Sequence, residues 1–330
     1  MNHRTVVITG GTGGIGFQSA LGIAKTGAHV LVTGRNRERG EEAVKRLVDE
    51  SGNDRVELVV GDVSSIEGVD ALAKALLDRT DRIDVLVNNA GYMGSEPGTS
   101  EDGVELHFAV NVLAPWRLTR ALLPALKAAP PKSGRGPRVL NVTGGDKPAA
   151  IDVDNLQAEK GFKGLMTYTH SKSVLEAMSM ALARDLEPEG VTVNVVFPGR
   201  ASTAMTGSLS ASALPGALKL MLPFFRLLFR EDGGKSAAKA ARSTIWGATS
   251  PDLDGVTGRY FDTNSKEQKL HPTAYDPQVQ ARILTVIEAT PCPPGPSPLS
   301  VLTASCERSS PTSSWSPAPS TSASCASAAT

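Results

Sequence analysis

Thr5-Val-Val-Ile-Thr9-Gly-Gly-Thr-Gly-Gly-Ile-Gly16 decides how this chain is read. A short apolar run stops at a cluster of glycines, and helical spacing begins at Gly14. Glycines at such a junction let the backbone turn tightly and approach a pyrophosphate. The helix that follows offers free N–H groups and the positive end of its dipole. A glycine cluster alone says little; the strand–turn–helix setting makes it a dinucleotide site. Gly10, Thr12, Gly14, Ile15 and Gly16 are its first candidate contacts.

Working outward, strand and helix signals alternate. Strands are predicted over 29–33, 56–60, 84–88, 138–142 and 191–196, and helices over 14–26, 38–50, 64–79 (Ser64 as N-cap), 104–128 and 167–186. Short apolar strands separated by helices describe a parallel sheet covered on both faces, hence an α/β, doubly wound (Rossmann) domain. After Pro198 the pattern loosens. A helix over 214–229 interrupted by Pro223, a helix over 235–246, a short strand near Tyr260 and a helix over 277–289 complete a single domain spanning 1–290. Residues 291–330 are rich in Ser and Pro, without helical or strand period. That composition predicts a disordered tail.

The bulk properties narrow the function. Of 330 residues, 34 are Lys or Arg and 34 are Asp or Glu. This balance gives no reason to expect a nucleic-acid partner. Cys292, Cys306 and Cys325 all lie in the tail, so the domain has no cysteine framework or cysteine metal site. His3, His29, His107, His170 and His271 are scattered, and all five read as structural or solvated, with no metal site. Strand-like residues already at Thr5 leave no signal peptide, and no apolar run reaches the roughly 18 residues of a membrane span. The expected location is cytoplasmic.

The second strand ends at Thr33-Gly-Arg-Asn36. An NAD site normally carries an acidic residue there for the ribose hydroxyls. This chain has Gly34 and then Arg35, whose guanidinium matches a 2′-phosphate in charge and fork geometry. NADP(H) is therefore the expected cofactor, although Arg35 is also readable as a solvated loop charge. Asp62 and Val63 after the third strand suit the adenine, and Asn88-Asn89-Ala90-Gly91 after the fourth suits the ribose.

Tyr168 and Lys172 stand four apart on a predicted helix, hence on one face. A nearby ammonium stabilises a phenolate and lowers the usual phenol pKa of about 10. Tyr168 then has the chemistry to exchange a proton with a substrate oxygen.

Taken in order, Thr9-Gly10…Gly14-Ile-Gly16, Asn88-Asn-Ala-Gly91, Asn111, Tyr168…Lys172 and Pro198-Gly199…Thr203 resemble a short-chain dehydrogenase/reductase over residues 4–290. Asp102-Gly-Val-Glu-Leu-His-Phe108, Asn155-Leu-Gln-Ala-Glu-Lys160 and Gly258-Arg-Tyr-Phe261 are similar to the retinol-dehydrogenase-like and WW-domain-oxidoreductase-like branch. The resemblance implies that Tyr168 is the acid/base. It implies that Lys172 binds the nicotinamide ribose and that Asn111 holds a water in a relay through Lys172. Pro198, Gly199 and Thr203 would line the nicotinamide, with Thr203 bonding its carboxamide. In this family the helices bearing Asn111 and Tyr168 often pair in a homodimer, while members of this branch can be monomers.

One position departs from the family. Its serine after the fifth strand falls on Gly144 in Asn141-Val-Thr-Gly-Gly145, leaving Thr143 as the one close hydroxyl. Thr143 is either a substitute donor or a plain strand-end residue. Tyr92, Met93, Met166, Met205, Leu209, Met221, Phe224 and Phe225 are candidate pocket residues and favour a hydrophobic carbonyl or alcohol substrate. Residues 214–229, with Lys219, Arg226 and Arg230, are a secondary candidate for a weak contact with a membrane surface or a partner. An NADP(H)-dependent oxidoreductase is the leading expectation. A non-redox cyclase or isomerase that uses Tyr168 only for proton transfer is the alternative, motivated by Gly144. A cofactor-gated binding protein is the third reading.

Overall fold

The computed structural model describes residues 1–129, 136–144, 149–199 and 234–290. Its eight-stranded sheet has the order β3-β2-β1-β4-β5-β6-β7-β8. These strands are β1 (Thr5–Ile8), β2 (His29–Gly34), β3 (Val56–Val60), β4 (Val85–Asn88), β5 (Arg138–Val142), β6 (Thr192–Val196), β7 (Tyr260–Phe261) and β8 (Glu267–Gln268). All neighbours pair parallel except β7 with β8. The strand order reverses between β1 and β4, and in such sheets ligands bind outside the carboxyl ends of the strands at that point.

The strands alternate between two apolar layers, as the period of two requires. Val6, Ile8, Val30, Val32, Val85 and Val87 face the layer holding α1 (Gly14–Ala24), α2 (Arg37–Ser51) and α8 (Lys235–Thr249). Val7, Leu31, Leu86, Val139 and Val193 face the other, which holds α3 (Ile66–Leu77), the helical segment 106–127, α7 (Gly164–Leu186) and α9 (Pro277–Ala289). Burial on both faces explains why these strands read as continuous apolar runs.

Several boundaries differ from the sequence expectation. The helix predicted over 104–128 is four pieces: α4 (Leu106–Phe108), then a π turn (Ala109–Leu113), then α5 (Ala114–Ala121) and α6 (Leu123–Lys127). Ala114 N–H donates to Ala109 O, five residues back, and Pro124 near the start of α6 cannot continue the hydrogen-bond ladder. Ser65, not Ser64, caps α3, its hydroxyl accepting from Gly68 N–H at 3.2 Å. Asp84 is not in β4; its carboxylate accepts from Thr5 N–H (2.9 Å) and from Arg82 (2.5 Å). The antiparallel strand β8 has no counterpart in the sequence reading.

Met1–Gly295 form one compact unit. The tail from residue 291, the apolar stretch 214–229 and Thr203 lie outside the described residues. Among the described residues no helix is long and apolar enough to cross a membrane.

Candidate active site

The glycine turn follows β1 and is tied to the loop after β4. The Thr9 hydroxyl accepts from Asn89 N–H and Ala90 N–H, both at 3.0 Å. Asn89 Nδ2 donates to Thr9 O (2.8 Å) and Gly10 O (3.3 Å). Gly10 has φ +64°, a left-handed conformation open to glycine. A β-carbon at Gly16 would lie 2.2 Å from Gly10 O and 2.5 Å from Asn89 Nδ2, so α1 seats on the turn only without one. Gly13 caps α1 with no side-chain hydrogen bond. The first-turn N–H groups are thus left for an anion, and the turn fits a dinucleotide pyrophosphate.

At the end of β2, a β-carbon at Gly34 would meet the Thr12 side chain at 2.8 Å. Thr12 therefore fills the space in which an acidic residue at position 34 would start. Arg35 is exposed beside it, with no ion-pair partner among the described residues. Asp62 accepts from Ser64 N–H at 2.9 Å through one oxygen, and Val63 packs partly buried against the core.

Asn88 points inward, donating to Asn141 Oδ1 (2.8 Å) and Thr119 Oγ1 (3.2 Å). It is a core residue, and the loop beside it presents Asn89, Ala90 and Gly91. Asn111 sits in the π turn and is fully buried. Its Nδ2 donates to Tyr92 O (3.0 Å) and Ser171 Oγ (2.9 Å), and its Oδ1 accepts from Tyr92 N–H (2.8 Å). The side chain clamps the loop after β4 to α7. His107 secures the same loop from below. Nδ1 shares a hydrogen with Glu105 (2.6 Å), Nε2 accepts from Gly94 N–H (3.0 Å), and the Tyr92 ring meets it edge-on at 5.0 Å.

Tyr168 and Lys172 share one face of α7 above the end of β5. Lys172 Nζ lies 6.0 Å from the Tyr168 ring centre and donates to Val142 O at 3.2 Å. The Tyr168 hydroxyl lies over Gly144. Burial pushes the phenol up to about 12, opposite to the lowering expected from Lys172 alone. The removal of water from the buried phenol, which disfavours its charged form, sets this direction. Burial also pulls Lys172 down to about 8, and Glu176 opposes that fall.

Thr143 is engaged elsewhere in this arrangement. Its hydroxyl donates to Glu176 Oε1 at 2.7 Å, and a hydroxyl has a single hydrogen to give. Among the candidate pocket residues, Tyr92 and Met93 follow β4 partly buried and Met166 is exposed at the start of α7. Met205, Leu209, Met221, Phe224 and Phe225 lie outside the described residues. Pro198 and Gly199 follow β6. Sequence reasoning placed Thr9 in the glycine motif without its tie to the loop after β4, and missed Ser171 and Glu176; these two act through contacts with distant segments that no local pattern marks.

Residues 4–213 match the family model of the short chain dehydrogenase. The chain is 35% identical to retinol dehydrogenase 13 of Mus musculus over 287 residues, covering 86% of this chain and 82% of that protein. It is 31% identical to polyprenol dehydrogenase of Homo sapiens over 284 residues, covering 85% and 82%. Among solved structures, the Pseudomonas aeruginosa RhlG/NADP active-site complex matches with a TM-score of 0.57 and 27% identity, covering 78% of this chain and 94% of that one.

Proposed function

The chain belongs to the short-chain dehydrogenase family, in its retinol-dehydrogenase-like branch, and from that premise we propose that it is an NADP(H)-dependent oxidoreductase of hydrophobic carbonyl and alcohol compounds. The observation that carries this reading is the Tyr168–Lys172 pair of α7 over the carboxyl end of β5, a strand of the same sheet as β1, which the glycine turn follows. NADP(H), when bound, supplies or takes the hydride. The turn from Gly10 to Gly16 holds its pyrophosphate, Arg35 its 2′-phosphate, and Asp62 and Val63 its adenine. Lys172 orients the ribose beside Tyr168. In reduction Tyr168 gives its hydroxyl proton to the substrate oxygen; in oxidation it takes that proton back. Two relatives are named for retinol and polyprenol, both isoprenoid alcohols, which supports a long apolar substrate.

Gly144 favours a second reading, proton transfer by Tyr168 without net redox, because no serine shares the substrate oxygen. Purified protein with NADPH and a panel of hydrophobic aldehydes and ketones separates the two. Substrate-dependent loss of NADPH absorbance, abolished by Tyr168→Phe, supports the oxidoreductase. Product without cofactor turnover supports the second reading. Cofactor binding with no product from any compound defeats both.

We also read the protein as a monomer. Residues 171–183 of α7 are buried within one chain on every side, which leaves no face of that stretch for a partner.

A further inference from the structure

One helical turn beyond Lys172, a buried carboxyl on α7 meets the end of β5. Glu176 Oε1 accepts from the Thr143 hydroxyl at 2.7 Å, and Lys172 Nζ donates to the adjacent carbonyl, Val142 O, at 3.2 Å. Two successive residues of the strand thus hold two successive turns of the helix. Thr143, Lys172 and Glu176 are all buried. The ionisable group acting on Glu176 is Lys172 from its own helix, while Glu176 and Asp262, just after β7, act together on Tyr260 of β7.

A buried carboxylate and a buried ammonium are each costly alone and offset one another when close. The pair behaves this way. Burial pulls Lys172 down and pushes Glu176 up to about 7, while each charge opposes the other's shift. The Thr143 hydroxyl adds a hydrogen bond that favours the carboxylate. The influence therefore runs in one line: Thr143 favours Glu176 as carboxylate, and Glu176 favours Lys172 as ammonium, whose Nζ lies 6.0 Å from the Tyr168 ring centre.

We propose that Glu176, anchored by the Thr143 hydroxyl, is a positioning residue that holds Lys172 in its ammonium form beneath Tyr168. This rests on Tyr168 and Lys172 being the proton-transfer pair, but the charge on Lys172 is measurable without substrate.

The test is a pH titration of the lysine ¹³Cε signals by NMR in the full chain, with Lys172 assigned through Lys172→Arg. Glu176→Gln keeps an acceptor for Thr143 and removes the charge. It should lower the Lys172 midpoint by about one pH unit, a tenfold change in its proton affinity. Glu176→Asp keeps the charge and should fall between wild type and Gln. Thr143→Val should shift the midpoint the same way by a smaller step, and Thr143→Ser should restore it. Dispersed amide spectra certify that each variant is folded. An unmoved midpoint in folded Glu176→Gln overturns the proposal. A Thr143→Val variant that loses turnover while Lys172 titrates as in wild type overturns it too, because Thr143 would then serve the substrate directly. Activity that survives Tyr168→Phe defeats the catalytic reading and leaves the lysine result standing.

Discussion

A β-carbon on Gly144 would lie 2.2 Å from the Tyr168 hydroxyl oxygen and 3.0 Å from Cζ. The phenol already occupies the volume that a side chain at position 144 would fill. Gly144→Ala should therefore displace Tyr168 rather than distort β5, because the hydroxyl is the free end of a ring that can swing. A displacement of about 1 Å at a reacting group can cost roughly a hundredfold in rate. The expected outcome is a kcat at least tenfold lower with an unchanged Kd for NADPH, since the glycine turn lies on another strand. A wild-type kcat would show that Tyr168 does not work from this position.

Cofactor choice rests on Thr12, Gly34 and Arg35. Arg35→Asp should raise the Kd for NADPH by about ten- to a hundredfold, the span of a charge-assisted contact of about 1.5–3 kcal/mol. The Kd for NADH should change far less, because the two cofactors differ only at the 2′-phosphate. Gly34→Asp alone should not create an NAD site, since its β-carbon meets Thr12 at 2.8 Å. Gly34→Asp combined with Thr12→Ala should bind NADH more tightly than either single variant. Equal NADPH affinity in Arg35→Asp would remove Arg35 from the site.

The parts of this site that the sequence displays are those governed by backbone and period. The turn from Gly10 to Gly16 needs glycines, and the strands show apolar runs because both faces are covered. Tyr168 and Lys172 share a face because four residues make about one helical turn. Other features arise from contacts between distant segments. The π turn at Asn111 accompanies a clamp between Tyr92 and Ser171, 19 and 60 residues away. Thr143 reads as a free hydroxyl until Glu176, 33 residues on, is placed against it. Asn88 belongs to a conspicuous run of small and amide residues, yet strand alternation turns it toward Asn141 and away from the cofactor side.

The buried carboxyl should also mark the pH dependence of stability. Glu176 is raised from 4.5 to about 7 in the fold. Between those values the folded chain binds more protons than the unfolded chain, so stability falls as pH rises through the interval. The contribution is fully present below pH 4.5 and is lost as pH passes 7, by up to about 3 kcal/mol for a shift of this size. Glu176→Gln removes the titration. Its stability relative to wild type should therefore improve from pH 5 to pH 8 in urea unfolding. A constant difference across that range would mean that Glu176 titrates normally in the fold.

The covering of α7 yields the last expectation. Ile283 and Ile287 of α9 are buried in the same apolar layer as Val174, Leu175 and Met178 of α7. Gln280 of α9 accepts from Arg184 at 2.7 Å and donates to Ala274 O at 2.7 Å, which anchors the start of the helix. A second copy docking along residues 171–183 would first have to displace α9. That would return two fully buried isoleucines to water at about 1.5–3 kcal/mol each. Sedimentation velocity at micromolar concentration should give one species with the mass of a single chain. A concentration-dependent dimer in the intact protein would sink the monomer reading. Ile283→Asp with Ile287→Asp should loosen α9, expose the apolar face of α7 and produce self-association that the parent chain lacks.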